Sequence, residues 1–215
     1  MNINFIWIGD VVPPSFIENY KKCAVLNPHH TINLFRDKDL ENFAKQYGIL
    51  EIYNQVNLVN RINLAKYLTL FYYPGLYSDL DIIWKRPVDS LIEQNVNTFY
   101  NGAYWPNRVP IHQHPEFISC VRPYLHVYNN EYVYIIDDHL IYSTSYAIQK
   151  IINYSASKWQ NLAFNMAINF EPFGPVSITE MVYNNRIKAN LWYDAQCQGN
   201  GTDCTHVSTR LWDSF

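Results

Sequence analysis

The stretch from Asn57 to Pro87, NLVNRINLAKYLTLFYYPGLYSDLDIIWKRP, limits the fold of this chain more than any other. Residues 57–73 read as a helix. At about 100° per residue its apolar positions cover most of the circumference, which places it between layers rather than on a surface. Pro74-Gly75 makes a turn, and Leu76 to Asp81 reads as a short strand that carries Asp79-Leu80-Asp81. Two carboxylates with one residue between them can converge on one hard cation where a strand ends and the backbone turns. A cation held that way is a handle for a pyrophosphate, so the stretch points to nucleotide-sugar chemistry. Two solvated acids at a strand end would look the same, and the surrounding chain has to decide.

The N-terminal third alternates in a regular way. Residues 3–8, INFIWI, form a short apolar run of the buried-strand type, followed by the loop from Gly9 to Pro14. Ser15 to Leu26 is expected to be a helix, with Ser15 as N-cap, Glu18 three residues on, and Asn27-Pro28 as its stop. Thr31 to Phe35 reads as a second strand, and Asp37 to Tyr47 as a helix closed by Gly48. A strand-helix-strand-helix order predicts an α/β fold with a mainly parallel central sheet flanked by helices. Beyond Asn97 the pattern weakens. Phe99-Tyr100 and Val133–Ile136 look like strands, and Glu116–Tyr124, Ser143–Ile152 and Ser177–Asn184 like helices. No repeat, low-complexity run or linker divides the 215 residues, so one domain over 1–215 is the expectation.

Composition excludes several classes. A net charge of −3 leaves no footprint for nucleic acid. No apolar run approaches the roughly 20 residues that span a bilayer, and MNINFIWIGDVVPP lacks the basic start and apolar centre of a signal peptide. Cys23, Cys120, Cys197 and Cys204 show no metal-type spacing. Cys197 and Cys204 could bridge a loop, but free thiols in a reducing compartment are expected.

The candidate site residues follow from this layout. Asp79 and Asp81 are the expected metal ligands, and Asn63 and Lys66 share one face of the helix before them while Arg61 falls roughly opposite. Basic groups beside such a site neutralise a transferring anion. His206 lies in a polar C-terminal loop and would complete an Asp/Asp set. Imidazole with carboxylates suits Mn²⁺ better than Ca²⁺. Trp7 and Trp212 could clamp a base or a phosphate. Asp137-Asp138-His139 follows an apolar strand and is a candidate acid/base cluster, equally readable as solvated acids at a turn. His112 and His114 have zinc-type spacing, but no second cluster completes a zinc site.

With these residues set out, the chain resembles the DXD glycosyltransferases of the GT-A fold. It is most similar to glycosyltransferase family 32, the initiating mannosyltransferase type, with the glucosylating clostridial toxins as cousins. The family's opening I-W-x-G-x-x-x-P corresponds to Ile6-Trp7-Ile8-Gly9 and Pro13-Pro14. Its N-P segment and W-x-D correspond to Asn27-Pro28 and Phe35-Arg36-Asp37. Its L-x-x-x-G-G-x-Y-x-D-x-D corresponds to Leu70, Pro74-Gly75, Tyr77, Asp79 and Asp81. The later G-P and the terminal His and Trp correspond to Gly174-Pro175, His206 and Trp212.

The resemblance implies a metal-dependent enzyme that uses Mn²⁺ or Mg²⁺. It would move a sugar from a nucleoside diphosphate sugar, UDP being the favoured nucleotide, to a glycan or other hydroxyl acceptor, with retention. Donor contacts would come from Ile6, Trp7, Ile8, Arg61, Asn63, Lys66, Asp79, Leu80 and Trp212. Asp79, Asp81 and His206 would hold the metal, and Asp137 or Asp138 would be the catalytic candidate. Asn63 and Lys66 stand where the family has Asp and Arg, and Lys cannot make the bidentate contact of Arg. Alternatively Arg61-Ile62-Asn63-Leu64 resembles the R-x-K-L helix of retaining galactosyltransferases, which would make Arg61 the donor contact. The Tyr- and Asn-rich, anchor-free sequence is also similar to the N-terminal transferase domain of a large chlorella-virus protein. A cytoplasmic location is therefore expected, the host's if the chain is viral. A nucleotide-sugar hydrolase, a nucleotide-binding module and a carbohydrate-binding protein are the competing readings.

Overall fold

The protein is described here by a computed structural model covering residues 1–90, 97–102, 135–161, 173–183, 186–187, 189–192 and 204–206. The expected helix at 116–124, the His112 and His114 pair, the Gly-rich loop at 198–201 and Trp212 lie outside the described residues.

The first half is the expected alternation. It runs β1 (Asn2–Trp7), α1 (Pro14–Leu26), β2 (Thr31–Arg36), α2 (Asp37–Tyr47), α3 (Leu50–Gln55), α4 (Leu58–Tyr72) and β3 (Gly75–Ser78). A three-residue step leads to β4 (Ile82–Trp84), and β5 (Asn97–Gly102) follows. The remaining described elements are β6 (Ile135–Ser143), α5 (Ser145–Asn161), α6 (Pro175–Tyr183), β7 (Ala189–Trp192) and β8 (Cys204–His206). Six strands form one sheet in the order β2-β1-β3-β6-β5-β7, and β4 pairs with β8 in a small second sheet. The β1–β2, β1–β3 and β5–β7 pairs are parallel, while β6 runs antiparallel to both neighbours.

Side-chain alternation along the strands splits the core in two. Ile3 and Phe5 of β1, Leu76 of β3 and Leu140 of β6 pack with Phe16 and Cys23 of α1 and with Ile82, Trp84 and Cys204 of the small sheet. Ile6, Tyr77 and Ile141 point the other way, into a layer built by α2, α4, α5 and α6. α4 lies in that layer with an unbroken buried run from Asn63 to Leu70, as an all-round apolar helix requires. The i, i+3, i+6 positions Asn60, Asn63 and Lys66 are nevertheless polar and buried.

Several local expectations change. α1 starts at Pro14, a position that suits proline's fixed φ and missing N–H, and the Phe16 and Ile17 amides donate to the Pro13 carbonyl, so Ser15 caps nothing. β3 stops at Ser78, short of the acidic pair. The Ile82 amide donates to the Asp79 carbonyl at 3.2 Å and closes a turn there. β6 begins at Ile135 and runs through Asp137-Asp138-His139, which therefore lie inside a strand rather than after one. α5 is longer than expected at its C-terminal end, and the short α3 was not expected. Thr205-His206 belong to a strand, not a polar loop. Cys204 is disulfide-bonded, against the expectation of free thiols, whereas Cys23 is a buried free thiol. Among the described residues no helix is long and apolar enough to cross a membrane.

Candidate functional site

The sheet order fixes where a ligand can sit. The chain leaves β1 for β2 on one side and returns to β3 on the other, so the crevice beyond the carboxyl ends of β1 and β3 is the topological switch point. Two segments meet at that edge. Trp7-Ile8-Gly9 leaves β1, and Asp79-Leu80-Asp81 leaves β3. The parallel register Asn2↔Gly75, Ile3↔Leu76 and Asn4↔Tyr77 sets them side by side.

Gly75 makes that register possible. Its φ is +146°, and a Cβ there would stand 2.3 Å from the Asn2 carbonyl oxygen. Only glycine lets the two backbones approach so closely. The β1 loop is braced from the β2–α2 junction. The Gly9 amide donates to Asp37 Oδ2 at 2.9 Å, and Arg36 Nη2 donates to the carbonyls of Gly9 and Asp10 at 2.7 and 3.0 Å. The acidic turn is held from below. Asn19 of α1 donates to the Leu80 carbonyl at 2.9 Å, and the Leu80 side chain is buried in the α1 layer. Leu80 thus anchors the turn through its side chain and presents the two carboxylates on either side of it. Ile6 is likewise a core residue, Ile8 packs partly against the same layer, and Trp7 stacks edge-on against Phe16 at 5.6 Å.

The structure brings Lys66 onto Asp79, the first acid of the pair. Lys66 Nζ lies 3.2 Å from Asp79 Oδ2, and the Tyr77 hydroxyl donates to Asp79 Oδ1 at 2.5 Å. The ammonium also sits over the Tyr77 ring at 5.5 Å. Tyr77 and Asp79 are two residues apart in an extended segment, so they share a side; that period-2 spacing was the readable signal for a contact the sequence reading did not assign. Asp81 is 8% exposed and Asp79 more open, its side chain 26% exposed. Asn63 is buried one turn before Lys66. One turn earlier still, Asn60 Oδ1 accepts from the Phe173 amide at 3.3 Å and ties the Phe173-Gly174-Pro175 segment to α4.

Arg61 goes elsewhere. Its guanidinium donates to the carbonyls of Tyr53, Asn54 and Val56, at 3.1, 3.3 and 3.5 Å. It thereby fills the acceptors at the C-terminus of α3 and lies over the Tyr53 ring at 5.7 Å. Burial pushes the Tyr53 hydroxyl well above the usual tyrosine range, with Arg61 pulling it partly back. These contacts turn Arg61 towards α3, as the opposed placement on the helical wheel requires.

His206 and the Asp137-Asp138-His139 triplet reach the same edge through their backbones. In the β4–β8 pair His206 stands opposite Ile82, the residue after Asp81. In the β3–β6 pair Leu140 stands opposite Ser78, so the antiparallel register carries the triplet towards the end of β3 from which Asp79 leaves. Asp137 pairs with Tyr100 of β5 next to a β-bulge. Among the described residues no three His, Cys, Asp or Glu side chains gather as a cation site. The donor set offered by Asp79 and Asp81, carboxylate oxygens on a tight turn with an imidazole-bearing strand alongside, fits a hard or borderline divalent cation.

Comparison with known proteins agrees with this geometry. Residues 13–98 match the family model described as a glycosyltransferase sugar-binding region containing the DXD motif. The chain is 24% identical over 163 residues, 73% of its length, to a mannosyl phosphorylinositol ceramide synthase of Saccharomyces cerevisiae. It covers 43% of that relative, so it spans less than half the length of the curated protein it matches. Among solved structures it superposes on the PaToxG glycosyltransferase with a TM-score of 0.52 at 16% identity, covering 86% of this chain and 68% of that one. It also superposes on the galactosyltransferase LgtC, solved with donor and acceptor sugar analogues, with a TM-score of 0.51 at 13% identity, covering 92% and 75%. The fold is therefore that of the GT-A glycosyltransferases, and residues 13–98 are similar to their DXD-containing sugar-binding region. Asp79-Leu80-Asp81 is a D-x-D sequence inside the matched region.

Proposed function

We propose that this chain transfers a sugar from a nucleoside diphosphate sugar, UDP-linked by preference, to a glycan or other hydroxyl acceptor with retention of configuration. The observation that carries the reading is the ion pair of buried Lys66 with Asp79, two residues before Asp81, at the β1/β3 switch point. The matched DXD region and the name of the yeast relative support sugar transfer as the chemistry.

In this reading the carboxyl end of β1, from Ile6 to Ile8, lines the base and ribose side of the crevice, with Trp212 of the C-terminal tail as a further contact. Asp81, Asp79 and His206 are the residues that would hold Mn²⁺ or Mg²⁺. Such a cation, when bound, supplies charge stabilisation to the departing diphosphate. Lys66 adds a fixed positive charge to the same oxygens, and Asn63 offers its amide to the donor sugar. Asp137 or Asp138 is the candidate nucleophile for retention, with a donor diphosphate oxygen as the alternative base for direct attack by the acceptor hydroxyl. The acceptor would enter above β6, where those residues reach the site edge.

Calorimetric titration of UDP, with and without Mn²⁺, tests the reading on the parent and on Asp81→Ala. Metal-dependent binding that the substitution abolishes is the expected result. Binding indifferent to both metal and substitution would overturn it. A panel of UDP- and GDP-sugars, assayed for transfer against simple hydrolysis, then separates a transferase from a hydrolase.

A further inference from the structure

Lys66 is a buried cation, 4% exposed, and a buried ammonium is costly unless it is paired. It pairs with Asp79, one of the two acids expected to receive a divalent cation, and the other Asp79 oxygen already accepts from Tyr77. Both Asp79 oxygens are thus engaged by donors of the chain itself, while Asp81 lies two residues on in the same turn. A divalent cation that reaches Asp79 meets a positive charge already seated there. A diphosphate that reaches the site offers the same ammonium a new anionic partner.

We propose that Lys66 is an exchangeable counter-cation of Asp79. Before substrates arrive it holds the acidic turn together and opposes divalent-cation binding. When nucleotide and cation enter together, Lys66 moves onto the diphosphate oxygens and leaves Asp79 to the cation. The proposal rests on the transferase reading and extends it: metal and nucleotide binding become coupled through one side chain, and removing that side chain changes the two affinities in opposite directions.

The test titrates Mn²⁺ calorimetrically into the full chain without nucleotide, and then UDP at saturating Mn²⁺. The proteins are the parent, Lys66→Met, Lys66→Arg and Asp81→Asn, with thermal melting as the check on folding. Removing a charge of like sign near the cation is expected to tighten Mn²⁺ binding by about tenfold in Lys66→Met. UDP binding at saturating Mn²⁺ should weaken by about tenfold in the same variant, because an ammonium–phosphate contact is lost. Lys66→Arg keeps the cation and should leave Mn²⁺ affinity near the parent's. Lys66→Gln is the second neutral variant should Lys66→Met fail to fold, and the same opposed changes are expected of it.

Mn²⁺ affinity unchanged or weakened in the neutral variants overturns the exchange. If Mn²⁺ still binds the parent and not Asp81→Asn in that case, the transferase reading stands without it. A parent that binds neither Mn²⁺ alone nor UDP with Mn²⁺ overturns both.

Discussion

Gly75→Ala should unfold the site edge at a cost that a control glycine does not share. Gly75 holds φ at +146° in the first pair of the β1–β3 ladder, and the added methyl would stand 2.3 Å from the Asn2 carbonyl oxygen and 3.2 Å from the Asn2 carbonyl carbon and amide nitrogen. An ordinary carbon–oxygen contact needs roughly 1 Å more, so either β1 retreats or β3 changes its backbone. The left-handed φ alone costs an alanine about 1–3 kcal/mol. Each ladder hydrogen bond lost on retreat adds about 1 kcal/mol. The sum is about 3–5 kcal/mol, a large share of a typical 5–15 kcal/mol total. For a chain of this size that lowers Tm by about 10 °C. Gly48 has φ +85° and nothing within 4 Å of a Cβ, so Gly48→Ala should cost only the left-handed φ, about 1–2 kcal/mol. Urea melts followed by circular dichroism compare the two. Because β1 and β3 carry the two halves of the proposed nucleotide crevice, folded Gly75→Ala should also bind UDP more weakly than folded Gly48→Ala. Equal stability losses in the two variants would refute the argument that close backbone approach, rather than a glycine preference in general, sets the site.

Asn19→Ala removes the donor to the buried Leu80 carbonyl and should cost about 1–3 kcal/mol. UDP·Mn²⁺ affinity should fall with it; a stability loss with unchanged binding would show that Asn19 does not position the acidic turn. Burial raises the Cys23 thiol from 9.0 to about 12, with the Asn27 hydrogen bond opposing. The folded chain therefore holds a proton that the unfolded chain releases above pH 9, so this contribution is complete below pH 9 and is lost between pH 9 and about 12. The unfolding free energy from urea melts should drop through that window by up to about 1.4 kcal/mol per pH unit from this group, and Cys23→Ala should flatten the drop; an unchanged slope would refute it. Denatured, unreduced protein should show two reactive thiols of the four cysteines, because Cys204 is paired. Four reactive thiols would remove the disulfide. Two would speak for an oxidising compartment against the cytoplasmic expectation.

Much of the first half was legible because its signals are local. Asp37 to Tyr47 with Gly48 as its left-handed stop, the strands at Ile3 and Thr31, and the sandwiched α4 all follow from short-range periodicity and turn chemistry. Asp79 and Asp81 stand out in the sequence because an acidic pair after a buried strand is conspicuous. What was missed depends on contacts between distant segments. Arg61 reads by sequence as a candidate donor contact, and its bonds to the α3 carbonyls depend on a segment that helical spacing does not place. The strand character of His206 depends on pairing with Ile82, more than a hundred residues away. Asp137-Asp138-His139 looked like the end of a strand because its polar residues break the apolar run, yet pairing on both sides of β6 carries the strand through them. The Lys66–Asp79 pair joins α4 to the turn after β3, and helical spacing alone gave the face of Lys66 but not its partner.

The most direct test of the central claim is release of nucleoside diphosphate from a panel of UDP- and GDP-sugars in the presence of Mn²⁺, in excess chelator, and with Asp81→Ala. Turnover of at least one donor that needs the cation and disappears in Asp81→Ala is the predicted result. Turnover untouched by both chelator and substitution, or no turnover of any donor alongside no UDP binding, would contradict the account.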